Sequence, residues 1–256
     1  MNGTISQQVK HGISEITFFH PQSNSLPGKL LMELATTIEQ AGKDKEVRVI
    51  VLKSEGEKAF CAGASFDELV SIQTLEEGKK FFSGFASVIN AMRRADKFVI
   101  ARIQGKAVGG GVGIASAADI TFAHETAAVK LSELALGIGP FVVGPAVERK
   151  IGKAAFAELT INSTEWKPAS WAREKGMYAD VFSTIPNLDD AIHTLCQKLV
   201  LSNPEAVSML KRIFWEGTEN WDTLLSERAA MSGKLVLSDF TRNAIAKFKA
   251  DVVRKS

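Results

Sequence analysis

The chain has little cysteine, little histidine, no long apolar run and no excess of charge of either sign. Its two cysteines, Cys61 and Cys196, are too few and too far apart for a disulfide framework, so a reducing compartment is expected. The four histidines, His11, His20, His124 and His193, form no pair at metal-ligand spacing, and no metal site is expected. No apolar stretch approaches the ~20 residues that a membrane span requires. The opening Met1 to Gln8 lacks the apolar centre of a signal peptide. With 31 lysines and arginines against 29 aspartates and glutamates, the net charge is +2, which gives no electrostatic case for nucleic acid. These absences predict a soluble, cytoplasmic, globular protein with no nucleic-acid or membrane partner.

What is present suits a sizeable core. Of the 256 residues 45% are hydrophobic and 23% charged, enough to fold without disulfides or metal. Ile13 to Phe18, Val47 to Leu52 and Phe98 to Ile103 read as buried strands by their β-branched and aromatic content. Between the first two, Pro27 to Ala41 carries Leu30, Leu31, Leu34 and Ile38 at helical spacing, with the proline where a first turn tolerates one. Leu75 to Met92 is a second helix, its apolar positions including Phe81, Phe82, Phe85, Ile89 and Met92. Strand alternating with helix predicts parallel strands joined by right-handed crossovers. Ile120 to Phe122 and Val129 to Leu131 are further short strands, and from Pro204 onward the pattern is helical.

Two segments are candidates for chemistry. The run Gly109-Gly110-Gly111-Val112-Gly113-Ile114 lacks the sixth-position glycine of a dinucleotide fingerprint, and the lysine and hydroxyl residue of a phosphate loop. It suits either close packing of a helix on a sheet or an anion site lined by amides. Earlier, Lys58-Ala59-Phe60-Cys61-Ala62-Gly63-Ala64-Ser65-Phe66-Asp67-Glu68 joins a strand to a helix through small residues, leaving free amides at a helix start. Cys61 has no histidine patterned as its base and reads as a small buried thiol rather than a nucleophile.

Together with Ile103-Gln104-Gly105-Lys106-Ala107-Val108 before the glycine triplet, these segments resemble the crotonase superfamily, the enoyl-CoA hydratase/isomerase family. Asn24-Ser25-Leu26, Asp119-Ile120 and Leu136-Gly137-Ile138 fall in the same register, and the resemblance spans essentially the whole chain. It implies an α/β fold, a crotonase-like spiral of β-β-α turns with two roughly perpendicular sheets. It also implies a division into an acyl-CoA-binding core over residues 1–200 and a helical C-terminal oligomerisation region over 201–256 that builds homotrimers or dimers of trimers. The substrate implied is an acyl-CoA thioester, with coenzyme A part of the substrate and no separate cofactor.

Carried over residue by residue, the resemblance places an oxyanion hole at the amides of Ala64 and Gly110 and a catalytic carboxylate at Glu133. CoA and substrate contacts fall on Ala62, Gly63, Ala64, Phe66, Gly110 and Gly113, and on Phe248 near the C-terminus, where Asp251 stands in place of the family's lysine. Family hydratases carry a first glutamate where this chain has Gly113. A gap is therefore expected opposite Glu133, and a single base favours double-bond isomerisation over hydration. Asp67 or Glu68 is an alternative second carboxylate. The chain is also similar to methylglutaconyl-CoA hydratases, and a catalytically silent acyl-CoA-binding subunit is the reading from outside enzymology.

Overall fold

Strands buried on both faces need unbroken apolar runs, and the chain supplies one from Val49 to Leu52. The computed structural model describes residues 3–253, with side chains through Lys247. The chain opens with a hairpin of β1 (Thr4–Lys10) and β2 (Ile13–Phe19), followed by helix α1 (Gly28–Lys43). Three β-β-α turns follow. The first is β3 (Val49–Ser54), β4 (Ala59–Cys61) and helices α2 (Phe66–Ser71) and α3 (Leu75–Arg94); the second is β5 (Phe98–Ile103), β6 (Lys106–Val108) and α4 (Gly110–Ala117). In the third, β7 (Ile120–His124) and β8 (Ala128–Lys130) lead through a single 3-10 turn at Leu134–Leu136 into α5 (Gly144–Ile161). Then come β9 (Lys167–Pro168), α6 (Ala169–Glu174), β10 (Asp180–Phe182) and α7 (Ile185–Val200). The last helices are α8 (Pro204–Phe214), α9 (Trp221–Leu235) and α10 (Asp239–Val253).

Each turn gives one strand to each of two sheets. The larger has the order β1-β2-β3-β5-β7-β10 and is parallel from β2 onward; the smaller has the order β4-β6-β8-β9, with only β9 antiparallel. The expected spiral of β-β-α turns is therefore present. Alternate residues of β3 face opposite layers: Ile50 and Leu52 join the main core, whereas Val49 and Val51 pack with Leu188, Ile192 and Cys196 of α7.

Helix α1 buries Leu30, Leu31, Leu34 and Ile38, each worth about 2 kcal/mol of burial. Helix α3 starts at a capping box, Thr74 with Glu77, and ends on Arg93 and Arg94, which suit the negative end of its dipole. Helix α9 lies along α3 so closely that a Cβ on Gly78 would come within 2.8 Å of the Gly233 Cα. Trp215 and Trp221 are buried and meet edge to face, 5.7 Å between ring centroids, whereas Phe240 is 70% exposed. The C-terminal helices thus rest on the body in part: Leu225 and Ala229 of α9 belong to the main core.

Some expectations shift. β3 starts at Val49, two residues after the expected Val47. β1 was not expected, because Thr4–Lys10 is a polar, exposed edge strand with no apolar alternation. β4 and β6 are three residues each, too short to show a period, and α5 contains Gly152 at φ +77°, which breaks its helical pattern.

Candidate active site

Ala64, Gly110 and Glu133 stand just past β4, β6 and β8, so strand pairing in the small sheet brings three distant stretches of chain together. All three line one cavity of 770 Å³, whose walls are largely apolar and include Phe81, Phe82, Phe85 and Ile138.

The Ala62–Ser65 loop is held by Ser23 and Leu26. Ala62 N–H donates to the Ser23 carbonyl at 3.2 Å, Leu26 N–H to the Gly63 carbonyl at 2.8 Å, and Ser65 N–H to the Leu26 carbonyl at 3.3 Å. The buried Asn24 fastens this segment in turn. Its Nδ2 donates to the carbonyls of Glu55 (2.7 Å) and Ala59 (2.9 Å), and its Oδ1 accepts from His20 N–H. Gln104 adds a clamp from the next turn, its Nε2 donating to Ser54 Oγ and to the Gly56 and Ala59 carbonyls. Gly63 sits at φ +93°, and a Cβ there would lie 3.2 Å from the Val108 carbonyl and 3.7 Å from the Gly110 nitrogen, so the two loops meet at this point. Among the described residues neither the Ala64 nor the Gly110 amide donates a hydrogen bond. Ser65 then caps α2, its Oγ accepting from Glu68 N–H at 3.3 Å.

Gly109 N-caps α4 at φ +51°, with its own N–H donating to the Lys130 carbonyl at 2.9 Å. A Cβ there would lie 2.8 Å from Glu133 Oε1, so this position needs glycine for conformation and for room. Behind it, the carbonyl of Glu133 accepts from the amides of Leu136 and Ile138, both at 3.0 Å, which fixes the backbone that carries the carboxylate.

The Glu133 residue is half-buried, but its carboxylate end is enclosed: Oε2 is out of solvent contact and has no hydrogen-bond partner. Burial pushes its pKa up to about 7 from the ordinary 4.5, with its own backbone N–H pulling slightly the other way. Of the other carboxylates, Asp67 lines the cavity but is exposed and accepts from Gln22 Nε2 at 3.1 Å. Glu68 is turned away, its Oε2 accepting from Gly28 N–H at the start of α1.

Ala62, Gly63, Ala64, Phe66 and Gly110 line the cavity as expected; Gly113 does not. A Cβ on Gly113 would come within 2.5 Å of Val143 Cγ1 and 2.8 Å of Val143 Cβ. The expected gap opposite Glu133 is corrected accordingly: Val143 fills it, and Val143 rather than Gly113 faces the cavity. Residues 113 and 143 are too far apart in sequence for any local pattern to show this exchange of volume. Phe248 lies in α10, and its side chain is outside the described residues. Cys61 is fully buried, with its thiol pushed up to about 12 by burial, and packs under Gly111 as an inert group. Among the described residues no three His, Cys, Asp or Glu side chains are grouped to hold a metal ion, and no helix is long and apolar enough to cross a membrane.

Residues 8–249 match the family model described as enoyl-CoA hydratase/isomerase. A short-chain-enoyl-CoA hydratase of Clostridium acetobutylicum is 28% identical over 239 residues, covering 92% of this chain and 90% of the relative. A carnitinyl-CoA dehydratase of Escherichia coli is 31% identical over 204 residues, covering 79% of this chain and 76% of its own. The fold is that of the enoyl-CoA hydratase crystal structure from Bacillus halodurans, at a TM-score of 0.88 and 18% identity over 95% of this chain and 99% of that one. A match over residues 8–249, on a chain whose small sheet brings Ala64, Gly110 and Glu133 to one cavity, assigns the protein to the enoyl-CoA hydratase/isomerase family, as an enzyme of the lyase/isomerase type.

Proposed function

We propose that the chain binds an enoyl-CoA thioester and transfers a proton beside the thioester carbonyl, with Glu133 as its single acid/base. The observation that carries this reading is the Glu133 carboxyl, enclosed among apolar walls with a pKa near 7. Both protonation states are then populated at neutral pH, as a group that must take a proton and give it back requires. In a 3-enoyl thioester Glu133 would remove a C2 proton, the electron pair passing to the thioester oxygen. The amides of Ala64 and Gly110 would hold that oxyanion, each worth about 3 kcal/mol. Return of the proton at C4 completes the shift of the double bond from C3–C4 to C2–C3. The turn at Ala62, Gly63, Ala64 and Phe66 would hold the CoA portion through its main chain, and no cofactor beyond the substrate's own CoA is invoked.

A second reading is addition of water to a 2-enoyl thioester, favoured by the names of the Clostridium hydratase and the Escherichia dehydratase. Against it stands Val143 in the place where a second carboxylate would reach. Asp67 is the remaining acid on the cavity wall. The test measures both rates on one pair, 3-hexenoyl-CoA and 2-hexenoyl-CoA. Isomerisation should be the faster; efficient hydration instead would move the assignment to the second reading. Glu133→Gln should keep CoA affinity and lose about a hundredfold or more in turnover. Unchanged turnover would remove Glu133 from the mechanism, and no turnover by the unmodified chain on any enoyl-CoA would favour a silent acyl-CoA-binding subunit. The same reading includes assembly as a homotrimer or a dimer of trimers, supported by Met209, Leu210, Ile213 and Phe214 on α8, each more than 40% exposed.

A further inference from the structure

Among the described residues that line the cavity, one is a cation that the proton-transfer reading does not use. Lys130 lines the cavity wall three residues before Glu133, on a strand whose carbonyl also fixes Gly109. Its Nζ lies over the Trp166 ring at 4.5 Å from the centroid, and Lys106 Nζ lies over the same ring at 4.9 Å. One indole thus gathers two ammonium groups by cation–π attraction, although like charges repel. Neither lysine has a carboxylate partner among the described residues. The acids flanking Trp166 are turned elsewhere, with Glu158 on Lys167 at 2.6 Å and Glu165 on the same lysine at 3.9 Å. Burial, and secondarily the Lys106 charge, pulls the Lys130 pKa below its ordinary value, and among the described residues no carboxylate opposes the shift.

Two cations share one ring without a carboxylate partner among the described residues, and Lys130, the one of the pair that lines the largely apolar cavity, is a seat for an anion. We infer that Lys130, supported by Lys106 and fixed by Trp166, receives a carboxylate carried by the acyl group, so that the substrate class is an enoyl-CoA thioester ending in a carboxylate. This rests on the proposed function for the presence of the thioester. The acyl group is favoured over the CoA phosphates because Lys130 belongs to the strand that delivers Glu133, at the reacting end, rather than to the Ala62–Phe66 turn. Lys130 is the one cationic side chain among the described cavity-lining residues; Phe82, Phe85 and Ile138 offer a terminal carboxylate no partner, and Asp67 would repel it.

The experiment measures binding of two unreactive saturated thioesters, glutaryl-CoA and pentanoyl-CoA, by titration calorimetry. They differ only in the terminal carboxylate, and neither requires turnover. The full-length protein should bind glutaryl-CoA at least about tenfold more tightly, the scale of one charge-assisted hydrogen bond. Lys130→Gln should bring the ratio close to one while leaving pentanoyl-CoA affinity within about twofold, and Lys106→Gln should reduce the ratio in part. Equal affinity in the unmodified protein overturns the inference. So does equal weakening of both thioesters and of free CoA in Lys130→Gln, which would make the seat one for CoA phosphate. A change of oligomeric state with the ratio intact also overturns it, since the lysines would then serve an interface. None of these results touches the role of Glu133, which is tested by turnover of Glu133→Gln.

Discussion

The role proposed for Glu133 runs against stability. Its carboxyl is protonated more readily in the folded chain, at about 7, than the ordinary 4.5 of an exposed glutamate. Below pH 4.5 both states hold the proton and no charge is buried. Between those values the unfolded chain releases the proton first, so stability falls as pH rises, by up to about 3 kcal/mol above pH 7. Glu133→Gln should therefore be more stable than the parent at pH 8 and nearly equal to it at pH 4.5, as read from urea unfolding at both values. A constant difference at the two pH values would mean that burial of the charge is not the cost. Activity should move the opposite way, rising through pH 7 as the base form appears. Gly113 offers a second test at this scale. Since a Cβ there meets the stiff, buried Val143, Gly113→Ala should destabilise by about 1–3 kcal/mol, and pairing it with Val143→Ala should recover most of the loss. Additive losses in the double variant would show that the two side chains do not compete for one volume.

At the scale of elements, Asp119 ties three of them at the start of β7. Its carboxylate accepts from Val99 N–H on β5 at 2.7 Å, from Lys211 Nζ on α8 at 2.5 Å and from Trp215 Nε1 just beyond α8 at 3.1 Å. Lys150 of α5 donates to the neighbouring carbonyls of Ala118 and Asp119 and is held down to about 8 by burial, Asp119 opposing. Lys211 is 2% exposed, so Asp119→Ala leaves a buried ammonium without a partner and should cost about 3–5 kcal/mol in thermal or chemical unfolding. A loss below about 1 kcal/mol would show that water replaces the carboxylate. Such ties were only partly legible in the sequence. The long elements were readable because α1 and α3 repeat apolar residues at helical spacing and β3 is an unbroken apolar run. The three-residue strands β4 and β6 have no period to read, although β8 was expected at Val129 to Leu131, and these short strands, rather than the long ones, bring the cavity residues together. That Ala64, Gly110 and Glu133 belong to one cavity was legible through the resemblance of local motifs. Val143 against Gly113, and Trp166 beneath Lys106 and Lys130, were not, because contacts across 30 or more residues leave no mark on local spacing.

For the whole molecule, α8 presents Met209, Leu210, Ile213 and Phe214 outward although its opposite side is anchored through Lys211. A helix apolar on its exposed side needs cover, so sedimentation should give a trimer or hexamer, and Ile213→Glu should shift it towards monomer. A monomer at micromolar concentration would sink the oligomer proposal. The small sheet has a broader consequence. Paired strands lie about 4.8 Å apart, so β4, β6 and β8 act as a ruler graduated in strand widths, and the chain mounts one chemical group at each graduation. Main-chain pairing sets the intervals, and side chains decide only what is mounted. Rewriting one graduation therefore leaves the other two in place. A scaffold indexed in this way can keep two marks unchanged while the residues at the third are exchanged for new chemistry.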